Sequence, residues 1–177
     1  MSTPLVSIIM PTYNAEKYIV EAIRSVIDQP FKNWELLIIN DGSMDATENV
    51  ILEVPDPRIV YIKQEKQGVS VARNSALSKM SGDFFCFLDA DDSFTPDSLL
   101  SRIGLFKNPN IDFVDGKVLR MNSDMTCINS EWSPHFRGKP LNDLVKLTGK
   151  SFLGLTWLIR RDKSKVYRFK EGLTHGE

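Results

Sequence analysis

Phe84-Phe85-Cys86-Phe87-Leu88, running straight into Asp89-Ala90-Asp91-Asp92, is the stretch from which the fold is read. Five consecutive apolar residues, three of them aromatic, read as a strand buried on both faces, as strands of parallel sheets are. Three carboxylates then follow within four positions. Like charges this close repel, and a divalent cation would relieve them. Mg²⁺ or Mn²⁺ takes oxygen ligands, often one or two carboxylates together with substrate phosphates. The plain alternative is a solvated turn, with Asp92 or Ser93 near a helix start.

Working outward, the N-terminal side alternates. Leu5–Met10 is a short apolar run stopped by Pro11 and reads as the first strand. Asn14 is placed to cap a helix reaching about Asp28, with Tyr18, Ala22 and Val26 on its buried side, and Pro30 ends it. Trp34–Asn40 reads as a second buried strand, and Asp45–Val54 as a helix closed by Pro55 and Pro57. Ile59–Lys63 gives a third strand, and Gly68 opens a helix over roughly Ser70–Met80. Beyond the acidic cluster, Thr95-Pro96-Asp97 has the composition of a helix start: a capping hydroxyl, a proline in the first turn, then an acid. That helix runs to about Lys107.

Strand and helix thus alternate four times, which predicts an α/β fold with a mostly parallel sheet covered on both faces. After Asn110 the pattern changes. Ile111–Met121 and Met125–Trp132 read as longer, half-polar, antiparallel strands, Leu141–Leu147 as a short helix and Leu155–Ile159 as another strand. The reading is one domain over 1–177, with a nucleotide-binding half (1–110) and a more variable second half (111–177).

Ligands of open parallel sheets bind beyond the carboxyl ends of the strands. Three strand ends carry polar, turn-forming sequence: Pro11-Thr12-Tyr13-Asn14, Asp41-Gly42-Ser43 and Asp89-Ala90-Asp91-Asp92. Each lies after its strand and before its helix, so topology sets all three along one rim. Asp41 can accept from a base or sugar, Tyr13 offers a flat face, and Gly42 lets the chain turn tightly. The helix after Gly68 presents an anion-friendly end, with Arg73 placed to balance the acids or meet a diphosphate. The alternatives are an ordinary surface arginine, a Tyr13 packed over the sheet edge and an Asp41 that caps the next helix. Neither G-x-x-x-x-G-K-[ST] nor G-x-G-x-x-G after the first strand is present, which disfavours P-loop NTPases and dinucleotide dehydrogenases.

Three segments together, VSIIMPTYNAEKYIVEAIRSVIDQ, WELLIINDGSMDAT and QGVSVARNSALSKMSGDFFCFLDADD with TPDSL behind it, resemble the family 2 glycosyltransferases. The likeness covers about residues 4–105, in order and at matching spacing. It implies the GT-A fold, a Rossmann-like, mostly parallel sheet sandwiched by helices, with a smaller antiparallel part in the C-terminal half. It also implies transfer of a sugar from a nucleoside diphosphate donor, UDP-linked in many members, with inversion at the anomeric carbon and Mg²⁺ or Mn²⁺ as cofactor. The acceptor would be a saccharide or a lipid-linked glycan, as in cell-surface polysaccharide synthesis. Carried over, Pro11, Thr12 and Tyr13 with Asp41 would hold the nucleobase, and Asn14, Gly42 and Ser43 would also bind the nucleotide. Arg73, Asp89 and Ala90 would lie near the nucleotide, and Asp91, with Asp89 and Asp92 beside it, would hold the metal.

The resemblance also points to a catalytic base, which family members place in an acidic pair after a segment like Phe169–Leu173. Glu177 matches the first acid, and the second would be residue 178. This implies a fragment cut within the motif, able to bind donor but poor at transfer; the alternative is that Glu177 is an ordinary terminal residue.

Composition sets the outer bounds. The 177 residues are 42% hydrophobic and 25% charged with a net charge of −1, which fits a globular protein and gives no global signal for nucleic acid. Cys86 and Cys127 make no disulfide framework, and no apolar run approaches a membrane span. The expectation is a cytoplasmic protein, with peripheral membrane association of a longer protein and the oligomeric state left open. The basic run Arg160–Lys165 suits an anionic acceptor or membrane surface, or simply a solvated face. His135 and His175 lie too far from any cysteine pair to suggest zinc. Two rival readings remain: a donor-binding module without turnover, and a receiver-like signalling domain with aspartates at its strand ends.

Overall fold

In the computed structural model, residues 3–122, 126–133 and 156–172 are described. Their elements run β1 (Val6–Thr12), α1 (Ile19–Ile27), β2 (Trp34–Asp41), α2 (Thr47–Leu52), β3 (Ile59–Gln64), α3 (Val69–Lys79), β4 (Phe84–Phe87) and α4 (Ser98–Leu105). Then come β5 (Phe113–Val114), β6 (Val118–Met121), β7 (Ile128–Trp132) and β8 (Leu158–Arg160). The main sheet has the order β3-β2-β1-β4-β8-β5. Its first four strands are parallel, and β8 pairs antiparallel with both β4 and β5. Strands β6 and β7 form a separate antiparallel hairpin.

Alternation of side chains along the buried strands builds two cores, one on each face. Ile8, Met10, Leu36, Ile38 and Cys86 pack with α1 (Ile19, Ala22, Ile23, Val26), with Ile51 of α2 and with Leu99 of α4. Ile9, Leu37, Ile39, Phe85 and Phe87 pack on the other face against Ala72, Ala76 and Leu77 of α3. Helix α3 therefore carries the chain from the edge strand β3 back across β2 and β1 to β4. That return puts a switch in strand order between β1 and β4, where open α/β sheets form their ligand crevice.

Pro11 does not stop the first strand as its type suggests; β1 continues through it to Thr12. Successive residues of a parallel strand face alternate neighbours, and Ile9 faces β4, its carbonyl accepting from Leu88 N at 3.0 Å. Pro11, two residues on, faces the same side beyond the last paired residue. Its missing N–H costs no ladder bond, and the two strands part there.

Other boundaries shift for equally local reasons. Helix α1 starts at Ile19, not near Asn14, because Asn14 takes a φ of +49° and is spent on a neighbouring loop. Helix α4 begins only at Ser98, after Asp97 at φ +62° and without a side-chain cap from Thr95 or Asp97. Gln29, 1% exposed, does that work from the far end of α1, accepting from Leu99 N at 3.0 Å and donating to Thr95 O at 3.0 Å. The expected strand over Ile111–Met121 is split, since Asp115 accepts from Gly116 N at 2.8 Å and from the Thr156 hydroxyl. Its first part joins the main sheet as β5 and its second forms the hairpin. Thr156 and Trp157 of the expected last strand lie in no element and it begins at Leu158; Leu155 lies outside the described residues. The expected Leu141–Leu147 helix, both histidines and Glu177 lie outside the described residues. Among the described residues, no helix is long and apolar enough to cross a membrane.

Candidate active site

At the carboxyl end of the sheet a cleft of about 330 Å³ opens between β1, β4 and α3. The β1 end contributes Pro11, Thr12, Tyr13 and Asn14, the turn after β4 gives Asp89, Ala90 and Asp91, and Asp41 and Arg73 come from β2 and α3. Strand ends distant in sequence thus meet in one cleft. Gly42, Ser43 and Asp92 stand outside its lining, and Glu177 outside the described residues. Ala15, Tyr18, Val69 and Ala72 also line it, none of which the sequence singled out for the site.

Asn14 and Ser43 do structural work. Asn14 N donates to Ser43 Oγ (3.0 Å) and Met44 N to Asn14 Oδ1 (2.9 Å). Ala15 N donates to Thr47 Oγ1 (2.8 Å), Glu16 N to Asp45 Oδ2 (3.2 Å) and Ala46 N to Glu16 Oε2 (2.8 Å). These five bonds lace the loop after β1 to the loop after β2, satisfying backbone groups that neither loop could satisfy alone.

Asp41 is 4% exposed and caps no helix after β2. Its Oδ1 accepts from Gln64 Nε2 (2.7 Å) and Gln67 N (2.9 Å), and its Oδ2 from Gly68 N (2.8 Å). Ser75 Oγ in turn donates to Gln64 Oε1 at 2.8 Å, so α3 fixes Gln64 and Gln64 fixes Asp41. No local pattern in the chain points to this relay. Gly42 follows at φ +73°, and a Cβ there would lie 2.9 Å from Lys66 N. Gly42→Ala is therefore expected to cost about 1–3 kcal/mol, the cost of a strained backbone position. For a chain of this size that is a fall of roughly 2–12 °C in melting temperature, read by calorimetry. Lys66 Nζ sits 3.8 Å from the Tyr13 ring centroid, so one face of that ring already carries a cation.

On the opposite wall, Arg73 is 6% exposed and its Nη2 lies 3.1 Å from Asp89 Oδ1. Arg73 is thus no ordinary surface arginine. The turn is closed by Asp92 N donating to Asp89 O at 3.0 Å. Although Asp92 is exposed as a residue, its carboxyl is pushed above the usual range, by desolvation first and then by repulsion from Asp89 and Asp91. Asp91 is exposed in the cleft and takes no hydrogen bond or ion pair from the described residues.

These donors fit a hard divalent cation in kind: all are carboxylate oxygens, and those of Asp91 and Asp92 are unengaged by the described residues. Among the described residues no group of three His, Cys, Asp or Glu side chains converges to hold a metal unaided. A cation here would complete its shell with oxygens from a bound ligand or water.

A model of the family "Glycosyl transferase family 2" matches residues 7–168. The chain belongs to that family. An "uncharacterized glycosyltransferase" of Haemophilus influenzae is 33% identical over 96% of this family 2 chain and 67% of its own length. The Escherichia coli UDP-Glc:alpha-D-GlcNAc-diphosphoundecaprenol beta-1,3-glucosyltransferase WfgD is 42% identical over 70% of the chain and 49% of that protein. Among solved structures, S. aureus TarS 1–349 in complex with UDP-GlcNAc superposes with a TM-score of 0.69 at 24% identity. That likeness covers 88% of this chain and 45% of the other, and it establishes the GT-A fold. The chain spans about half the length of WfgD and of the TarS fragment.

Proposed function

We propose that this chain is the donor-binding part of an inverting glycosyltransferase. It moves a sugar from a UDP-linked donor to a saccharide or lipid-linked acceptor, in cell-surface polysaccharide synthesis on the cytoplasmic side. The observation that carries the reading is the meeting of Asp41 from the end of β2, Arg73 from α3 and Asp91 from the turn after β4 in one cleft at the β1/β4 switch. WfgD, whose name specifies a UDP-glucose donor and a diphosphoundecaprenol-linked acceptor, supports the donor and acceptor classes.

Each residue then has a task. Asp41 Oδ2, with a single described donor on it, keeps an acceptor position for a ring N–H such as that of uracil. The laced loops after β1 and β2 hold that wall rigid, so little ordering remains to be done on binding. Arg73, fixed on Asp89, brings positive charge to the diphosphate side. Asp91, with Asp89 and Asp92 beside it, would hold Mg²⁺ or Mn²⁺. When bound, that cation supplies stabilisation of the charge that develops on the departing diphosphate. Glu177 is proposed as the base that takes the acceptor hydroxyl's proton on the face opposite the leaving group, which gives inversion.

A thermal-shift panel of UDP, UDP-glucose, UDP-GlcNAc and GDP-mannose, each with and without Mn²⁺, tests the reading. A nucleotide at about a hundred times its Kd adds about 2.7 kcal/mol, roughly 5–11 °C here. The expected result is such a shift for UDP compounds, dependent on the cation. No shift with any nucleoside diphosphate would defeat it. UDP release with and without acceptor separates a transferase from a donor-binding module without turnover.

A further inference from the structure

Arg73 and Asn74 are neighbours on α3, yet they face different cavities. Arg73 lines the cleft described above, whereas Asn74 lines a groove of about 420 Å³ with Leu77 and Tyr167. Its carboxamide pairs with the backbone of Phe169 in both directions. Nδ2 donates to Phe169 O at 3.0 Å, and Oδ1 accepts from Phe169 N at 2.8 Å. Nδ2 also donates to Glu171 Oε1 at 2.9 Å, an oxygen that Arg168 Nη2 meets at 2.9 Å. One side chain thus supplies the two backbone bonds that a neighbouring strand would supply.

The consequence reaches the cleft through aromatic rings. Phe169 lies edge-on to Phe87, centroids 5.4 Å apart, while Tyr167 lies against Phe85 at 4.9 Å. The Arg73 guanidinium carbon sits 5.4 Å from the Phe169 centroid and 6.0 Å from that of Phe87. Arg73 Nε is buried with no hydrogen-bond partner among the described residues. Its placement therefore depends on these two rings and on the 3.1 Å contact with Asp89.

We propose that Asn74 is a positioning residue for the donor site. It latches the Tyr167–Phe169 segment onto α3, Phe169 sets the Arg73 guanidinium, and Arg73 holds Asp89 at the cleft. The proposal rests on the donor-site reading above and adds a determinant of donor affinity that does not itself line the cleft.

Two variants separate the links. Asn74→Ala removes the latch and keeps the helix, alanine being the best helix former. Phe169→Leu removes the ring and keeps the backbone groups that Asn74 holds. Three readouts apply to both: trypsin cleavage after Arg168 and Lys170, the NMR resonance of the Arg73 Nε–H, and the Kd for UDP with Mn²⁺ by calorimetry. Asn74→Ala loses three hydrogen bonds, two of them neutral bonds to the Phe169 backbone; it is expected to speed cleavage and weaken UDP by about tenfold each, the scale of those two bonds, and to shift the Arg73 resonance. Phe169→Leu is expected to shift the same resonance and weaken UDP while cleavage stays close to wild type. In the double variant the two losses should not multiply, because they lie on one path. An unmoved Arg73 resonance in Asn74→Ala, or losses that multiply, would overturn the proposal. A wild type that binds no nucleoside diphosphate, with the resonance still moved by both variants, would sink the donor reading and leave the latch standing.

Discussion

Asp91→Asn is expected to abolish the Mn²⁺-dependent part of UDP stabilisation while leaving the ligand-free melting temperature within about 2 °C of wild type. The two halves of this expectation have separate causes. Asp91 is exposed and accepts no described hydrogen bond, so the fold loses nothing when its charge is removed. Repulsion on Asp92 even falls, since Asp91 is one of the two charges that push its carboxyl up. The neutral amide, however, is a far poorer partner for a hard dication than a carboxylate. Shifts with UDP and Mn²⁺ that match wild type would remove Asp91 from the proposed metal site.

Asp41→Asn should behave in the opposite way, harming the fold and the site together. The carboxylate accepts from three donors, two of them backbone amides at the approach to α3. An asparagine has one acceptor oxygen. If it keeps Gln64 and Gln67, its NH₂ faces Gly68 N–H, and a buried donor is left unpaired at a cost of about 1–3 kcal/mol. The expected fall is roughly 2–12 °C in melting temperature, with loss of UDP binding at concentrations that saturate wild type. A stable Asp41→Asn protein with wild-type affinity would contradict both roles.

The sheet was legible because its central strands β1, β2 and β4 are buried on both faces, and unbroken runs such as Leu36–Ile39 and Phe84–Leu88 leave little choice. The rim followed from topology: turns after parallel strands must share one edge. What local sequence could not show was which polar residues face a ligand and which face each other. Asn14 reads as a helix cap and a nucleotide contact, yet its partners are Ser43 and Met44, about thirty residues away. Thr95 reads as a cap for α4, yet the cap is Gln29, seventy residues before Leu99. Asp41 lines the cleft, but its hold on Gln67 and Gly68 depends on a crossover that only the folded chain reveals. Beyond residue 110 half-polar strands carry weak periodicity, and the turn dipeptide Asp115-Gly116, which the reading of one long strand passes over, breaks one of them.

On the proposed reading, the ends of β1 and β2 and the turn after β4 meet at one nucleotide-and-metal site. Paramagnetic broadening of backbone amides by Mn²⁺, recorded with and without UDP, tests it most directly. UDP and Mn²⁺ together should broaden Ala90, Asp91, Asp92 and Arg73, UDP should shift Gly42 and Gly68, and the β6–β7 hairpin should stay unaffected. Broadening centred elsewhere, or the same weak broadening whether UDP is present or not, would contradict it.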